Sequence, residues 1–259
     1  MMEYTFFVLL FTLSLFLAML LLLETGRRIG RRRGEKDPDE ASAGVGAVEG
    51  AVFGLLGLLM AFTFSGAAAR FDVRRQLIVE ETNNIGTAYL RLDLLPEAAQ
   101  PALRESFRQY VDARLAAYHK LPDVAAAKEE LAKATKLQGE IWNQAVAASR
   151  DTNSPAAVTL MLTALNAMID ITTTRTMAVQ THPPIIIFAM LVGLALASSL
   201  LAGYGMSNSK TRSWMHMLGF AVTIAVAVYV ILDLEFPRFG FIRVDAFDQA
   251  LMDLRQSMH

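Results

Sequence analysis

Residues 57–75 read GLLMAFTFSGAAARFDVRR. The stretch opens as a membrane helix and closes in charge, with Arg70, Asp72, Arg74 and Arg75. From residue 70 to 84 there is neither Gly nor Pro, and Phe71, Val73, Leu77 and Ile78 keep helical spacing. The pattern therefore predicts one helix that continues beyond the bilayer, with no loop at its edge. Arg74 and Arg75 are expected to pair with Glu80 or Glu81. Upstream, Gly46, Gly50, Gly54, Leu58, Phe62, Gly66 and Arg70 stand four apart. Such a row drifts about 40° per step on an ideal helix and forms a ridge, where glycines let a second helix approach closely. Packing notches are the plain reading of those glycines, and interfacial anchoring is the plain reading of the arginines.

Working outward, four windows meet the bilayer length: residues 4–23, 50–69, 184–206 and 213–232. The chain has 259 residues, 54% of them hydrophobic. The first window is too long for a signal core, and its basic cluster follows it, so it reads as a retained anchor. Between the second and third windows the sequence is rich in Ala and Leu and helical in period. Leu103, Phe107, Tyr110, Val111 and Leu115 mark one helix, and Asp123 is the expected cap of the next. Ser154 with Pro155 opens a third. The expected fold is an all-α integral membrane protein with four transmembrane helices and a helical soluble bundle between the second and third. Its divisions are 1–69, with a basic loop at 24–40, then 70–182, 183–235, and an interfacial turn and short amphipathic tail at 236–259.

Several function classes fall away. Net charge is −1, so no overall field favours nucleic acid, and the absence of cysteine removes disulfides and thiolate chemistry. His119, His182, His216 and His259 share no metal-ligand spacing, and no hydrolase or phosphate-loop motif occurs. No enzyme, cofactor or metal site is expected. The expected partners are the lipid bilayer and further copies of the chain.

Five arginines lie between Arg27 and Arg33, followed by Lys36, and the third loop carries Lys210 and Arg212. The positive-inside rule puts loop 24–40 in the cytoplasm and the N-terminus outside a bacterial inner membrane. Two other places invite attention. NNIGTAYLRLDLLP, residues 83–96, holds Asn84, Arg91 and Asp93 just beyond Glu81; a hydrogen-bonded helix junction is the plain reading and a ligand cage the alternative. At the end of the fourth span Pro237 and Gly240 force a turn beside Arg243, which reads as an anchor first and a gate second.

GLLMAFTFSGAAARFDVRRQL resembles the second transmembrane helix of bacterial bestrophins. EETNNIGTAYLRLDLLP and LDLEFPRFGFIRVD are similar to a group of uncharacterised bacterial membrane proteins with a bestrophin-like domain. The resemblance implies a homopentameric anion channel, with Gly54, Leu58 and Phe62 at its narrow neck and Arg70 at the mouth. It also implies a cytosolic long segment, the reverse of the charge rule. Thr63, Phe64 and Ser65 depart from the bestrophin pattern, and no acidic cluster matches the family's calcium clasp. A physical argument runs beside the resemblance: a small or apolar ridge can line a narrow passage, and Arg70 and Arg74 at its end can concentrate small anions. One chain with four spans surrounds no pore, so the expectation includes a ring, a pentamer favoured over a dimer. The alternative is a non-conducting membrane sensor or scaffold whose segment 70–182 binds a ligand or partner.

Overall fold

The computed structural model describes residues 2–35, 45–208 and 213–259, and the described residues contain helices and turns but no strand. The helices are α1 (Met2–Gly34), α2 (Val45–Leu90), α3 (Gln100–His119), α4 (Val124–Arg150), α5 (Pro155–Gln180), α6 (Ile185–Gly205), α7 (Trp214–Glu235) and α8 (Gln249–Ser257). Four helical stretches are long and apolar enough to cross a membrane. The chain divides into two compact units, one of Met2–Ala69 with His182–Phe236, the other of Arg70–Thr181 with Pro237–His259.

The first unit holds α1, the first half of α2, α6 and α7. Here α1 packs on α6 and α7, burying Leu15, Met19 and Leu23 against positions such as Leu191, Ala195, Ala221 and Val228. Two glycines set the distance between α1 and α6. A Cβ on Gly26 would fall 2.0 Å from the Leu200 carbonyl oxygen, and one on Gly203 would fall 2.0 Å from that of Leu23. The helices therefore meet backbone to backbone, as small residues permit in lipid. The Tyr4 hydroxyl donates to the Leu232 carbonyl at 3.3 Å, and Phe53 of α2 meets Phe220 of α7 with ring centroids 6.0 Å apart.

The arginines expected in a loop at 24–40 lie instead on α1, which runs on to Gly34. Arg27 is buried. Gly26 and Gly30 let this last part of α1 pack on backbone atoms of Leu200 and Tyr204, which gives the charged turns a surface to fold against. Lys36, Lys210 and Arg212 lie outside the described residues.

The second unit is a helical bundle built from the second half of α2, α3, α4, α5 and α8. Its core includes Ile85, Tyr89, Leu103, Phe107, Tyr110, Ile141, Leu165 and Met168. Leu103, Phe107, Tyr110 and Val111 are buried as their spacing predicts, while Leu115 is half-buried. Asp123 accepts from the Ala126 amide at 3.0 Å and Ser154 from the Ala157 amide at 3.3 Å, so both expected caps form.

Residues 237–259 differ from the sequence expectation of a separate interfacial turn and tail. Pro237–His259 belongs to the bundle, because the apolar side of α8 has a core to enter: Leu251 is 1% and Met258 4% exposed. Two polar links tie this segment down. The Tyr89 hydroxyl donates to the His259 carbonyl at 2.7 Å, and Arg255 makes a two-pronged bond to Asp112 at 2.8 and 3.0 Å.

Candidate functional site

α2 is a single helix of 46 residues, about 70 Å long at 1.5 Å per residue. It is also the candidate span with the least of its apolar window buried, 11% against 22–39% for the other three. One of its faces is left bare by the chain. In the first unit the bare face carries Gly54, Leu58, Phe62, Ser65 and Ala69; Leu58 is 53% and Phe62 67% exposed, and nothing lies within 4 Å of a Cβ built on Gly54. In the second unit it carries Gln76, Glu80, Asn83 and Thr87. The steps are three or four residues, with one of seven from Ala69 to Gln76, which keeps the row on one side of the helix. Gly66 and Arg70, the last members of the four-apart ridge, have turned away and are half-buried. The cause is the drift of a strict period of four around a helix of 3.6.

The charges beyond residue 70 do not pair as the sequence suggests. Arg74 is buried, and its guanidinium donates to the carbonyls of Ala178 and Thr181, both at 3.1 Å. A cation there meets the carbonyls that the last turn of α5 leaves without helical partners. Arg75 lies 3.3 Å from Asp72 and over the rings of Phe71 and Phe247, at 5.3 and 4.8 Å from their centroids. Glu81 is fully buried and takes Arg114 at 2.7 Å on one oxygen and Arg175 on the other. Burial makes an uncompensated carboxylate expensive, and two charge-assisted bonds offset that cost.

Around Glu81 lies a network the sequence reading missed. The rings and guanidinium groups stack at Tyr118, where Arg114, Arg175 and Arg238 lie 5.4, 4.7 and 4.3 Å from the ring centroid. Arg114 also donates to the Tyr118 hydroxyl at 2.6 Å. Burial pushes the Tyr118 phenol above its usual range, partly offset by Arg114. Arg238 reaches Asp248 with two bonds of 2.7 and 2.9 Å. Two signals could have found this group. Arg114 stands on the same stripe as Tyr110 and Val111, and Arg175 is the one basic residue of an otherwise uncharged or acidic α5. Either position needs a buried partner.

The junction residues form a seam between α2 and α5. Asn84 donates to the Ala167 carbonyl at 3.3 Å, and Arg91 to that of Leu160 at 2.6 Å. Asp93 pairs with Arg104. At the other place, the Pro237 carbonyl accepts from the Val244 amide at 3.1 Å, Gly240 is buried, and Arg243 pairs with Asp245 at 2.5 Å. No cluster of His, Cys, Asp and Glu able to hold a metal occurs among the described residues.

A model of the bestrophin-like domain matches residues 6–246. The chain belongs to the bestrophin-like family. No curated protein matches it. Two crystal structures of a bacterial bestrophin homologue from Klebsiella pneumoniae share its fold. One, a tyrosine-to-alanine variant, superposes with a TM-score of 0.65 at 14% identity, over 92% of this chain and 98% of that one. The other, a tryptophan-to-alanine variant, gives 0.64 at 15%, over 95% and 98%. The bestrophin-like fold, four apolar spans and a helical bundle, thus accounts for nearly the whole chain.

Proposed function

We propose that this bestrophin-like chain forms a homo-oligomeric ion channel in the bacterial plasma membrane, lined by α2, with Gly54, Leu58 and Phe62 at the narrow part. One observation carries the reading. Exposed apolar side chains on a membrane helix are what lipid requires, and α1 shows them too, with Phe6 and Phe7 each 67% exposed. On α2, however, the same row continues past the span as Gln76, Glu80, Asn83 and Thr87. A face that is apolar in one half and polar in the other suits a water-filled path with a dewetted constriction. Copies of the chain arranged in a closed ring supply the remaining walls, five being the favoured number.

Anion permeation is what the family resemblance implies, and it rests on free positive charge at the mouth. Arg74 is spent on α5 carbonyls and Arg70 is half-buried. Purified protein in liposomes, assayed for salt flux with Phe62→Ala and Leu58→Ala beside the wild type, tests the pathway. The expected result is flux that both substitutions change. Folded protein without flux in every variant would turn the reading to a membrane sensor or scaffold, and a dimer by native mass would agree with that. The charge rule places segment 24–40 in the cytoplasm and the bundle opposite. A cysteine at Ala126, labelled by an impermeant reagent from the cytoplasmic side alone, reverses that orientation.

A further inference from the structure

We infer that α1 carries a site for one anionic phospholipid, its headgroup held by Arg28, Arg31 and Arg32 and its chains laid along Leu10, Leu13, Leu17 and Leu21. The inference concerns a different helix from the one read as lining the path, and it stands whether or not ions pass. The four leucines are exposed and follow at steps of three and four residues. Arg28 comes seven residues after Leu21, and Arg31 and Arg32 come three and four after Arg28; all three are exposed. At 3.6 residues per turn these positions share one side of the helix. The lengths match a lipid. Leu10 to Leu21 rises about 16 Å along the axis, close to the hydrocarbon depth of one leaflet. The arginines begin about 10 Å further on, and helical side chains lean toward the N-terminus, which returns the guanidinium groups to headgroup level.

The opposite side of α1 is spent within its own unit. Leu23 and Arg27 are buried, and Gly26 and Gly30 lie against the backbone of Leu200 and Tyr204. The arginine face is therefore fixed in direction before any lipid arrives. Its charge fits a single phosphodiester. Glu24 holds Arg28 at 2.8 Å and Glu35 follows on the same face, so three arginines stand against two glutamates. Arg31 and Arg32 make no hydrogen bond or ion pair among the described residues. Their planar donors suit phosphate oxygens. A headgroup that carries its own ammonium, as in phosphatidylethanolamine, leaves the net charge of the face unanswered.

The test is native mass spectrometry of the full-length protein from micelles holding equal amounts of phosphatidylglycerol and phosphatidylethanolamine, for wild type, Arg31→Gln, Arg32→Gln and the control Arg33→Gln. Arg33 is exposed in the same turn but about 100° round the helix from Arg32. The wild type is expected to retain phosphatidylglycerol in preference. Arg31→Gln and Arg32→Gln are each expected to cut that preference roughly fivefold, and Arg33→Gln to keep it. Glycerophosphoglycerol, the same headgroup without chains, is expected not to displace the lipid at equal concentration. Equal retention of the two lipids by the wild type overturns the site, as do Arg31 and Arg32 variants that match the wild type. A control that loses as much as those variants overturns the placement on this face, because any charge at the membrane edge would then suffice. Displacement by the chainless headgroup overturns the role of the leucine row.

Discussion

In the unit of α1, α6 and α7, helices meet where side chains are missing. Gly26 and Gly203 bring two backbones together with no room for a methyl group. In the bundle, helices meet where side chains are largest and most charged: one buried glutamate, three arginines and Tyr118 stack at the centre. The contrast follows from the solvent each apolar surface can escape to. Lipid gives apolar helices no reason to associate, so close contact must come from dispersion at short range. Water drives the bundle together without help, and its polar network then fixes which helices meet in which register, a role buried ionic groups hold in some proteins.

The largest break in this comparison is expected at Glu81. Glu81→Ala leaves Arg114 and Arg175 without their carboxylate, and the bundle should lose about 3–5 kcal/mol, read as a fall in the thermal midpoint of the protein in detergent. Replacing all three by apolar residues of similar volume should recover most of it. An unchanged midpoint in the single variant would mean that the network is not holding the helices.

A smaller loss, about 1–3 kcal/mol from overpacking, is expected for Gly203→Ala, since its Cβ would lie 2.0 Å from the Leu23 oxygen. Gly54→Ala sharpens the comparison: nothing lies within 4 Å of its Cβ, so the folded subunit should gain up to about 1 kcal/mol from helix propensity. If that variant loses its oligomer while keeping its helical content, the open glycine face is a contact between copies. Asp123→Ala should cost about 1 kcal/mol through the lost cap of α4, seen in the same melt.

The smallest effect is a pH dependence confined to the bundle's rim. Lys120 donates to Glu130 at 2.6 Å, a bond that lowers the glutamate pKa and raises that of the lysine. The pair's contribution should be complete at neutral pH. It is lost as pH falls through the depressed glutamate value, and again as pH rises through the raised lysine value. Glu130→Gln should flatten the acid side of the stability profile, and an unaltered profile would remove the pair from the account.

Much of the fold was legible because its signals are local. Window length gave the spans, the unbroken run from Arg70 to Asn84 gave the continuity of α2, and Asp123 and Ser154 announced their helices. The partners of charged residues were not legible, because a carboxylate one turn away competes with carbonyls and arginines a hundred residues distant. Arg74 shows this: Glu80 and Glu81 are near in sequence, yet the carbonyls of Ala178 and Thr181 win. The tail was misjudged for the same reason. Amphipathicity says that α8 has an apolar side but not whether lipid or a protein core receives it. For the candidate site, Gly54, Leu58 and Phe62 share an exposed side of α2, as their spacing suggests, while the turn of Arg70 away from that side required the true helical period.

The bundle draws its residues from both sides of α6 and α7: Leu251 and Met258 enter a core otherwise made from residues 85–168. During synthesis that core must wait for the 78 residues from 182 to 259, roughly 4–16 s at usual elongation rates. For those seconds α3, α4 and α5 hold an open apolar groove while two further helices are still being handed to the insertion machinery. Translation speed through this part of the message then becomes a determinant of yield, and slow synonymous codons after residue 182 should be tolerated less well than the same codons before residue 70.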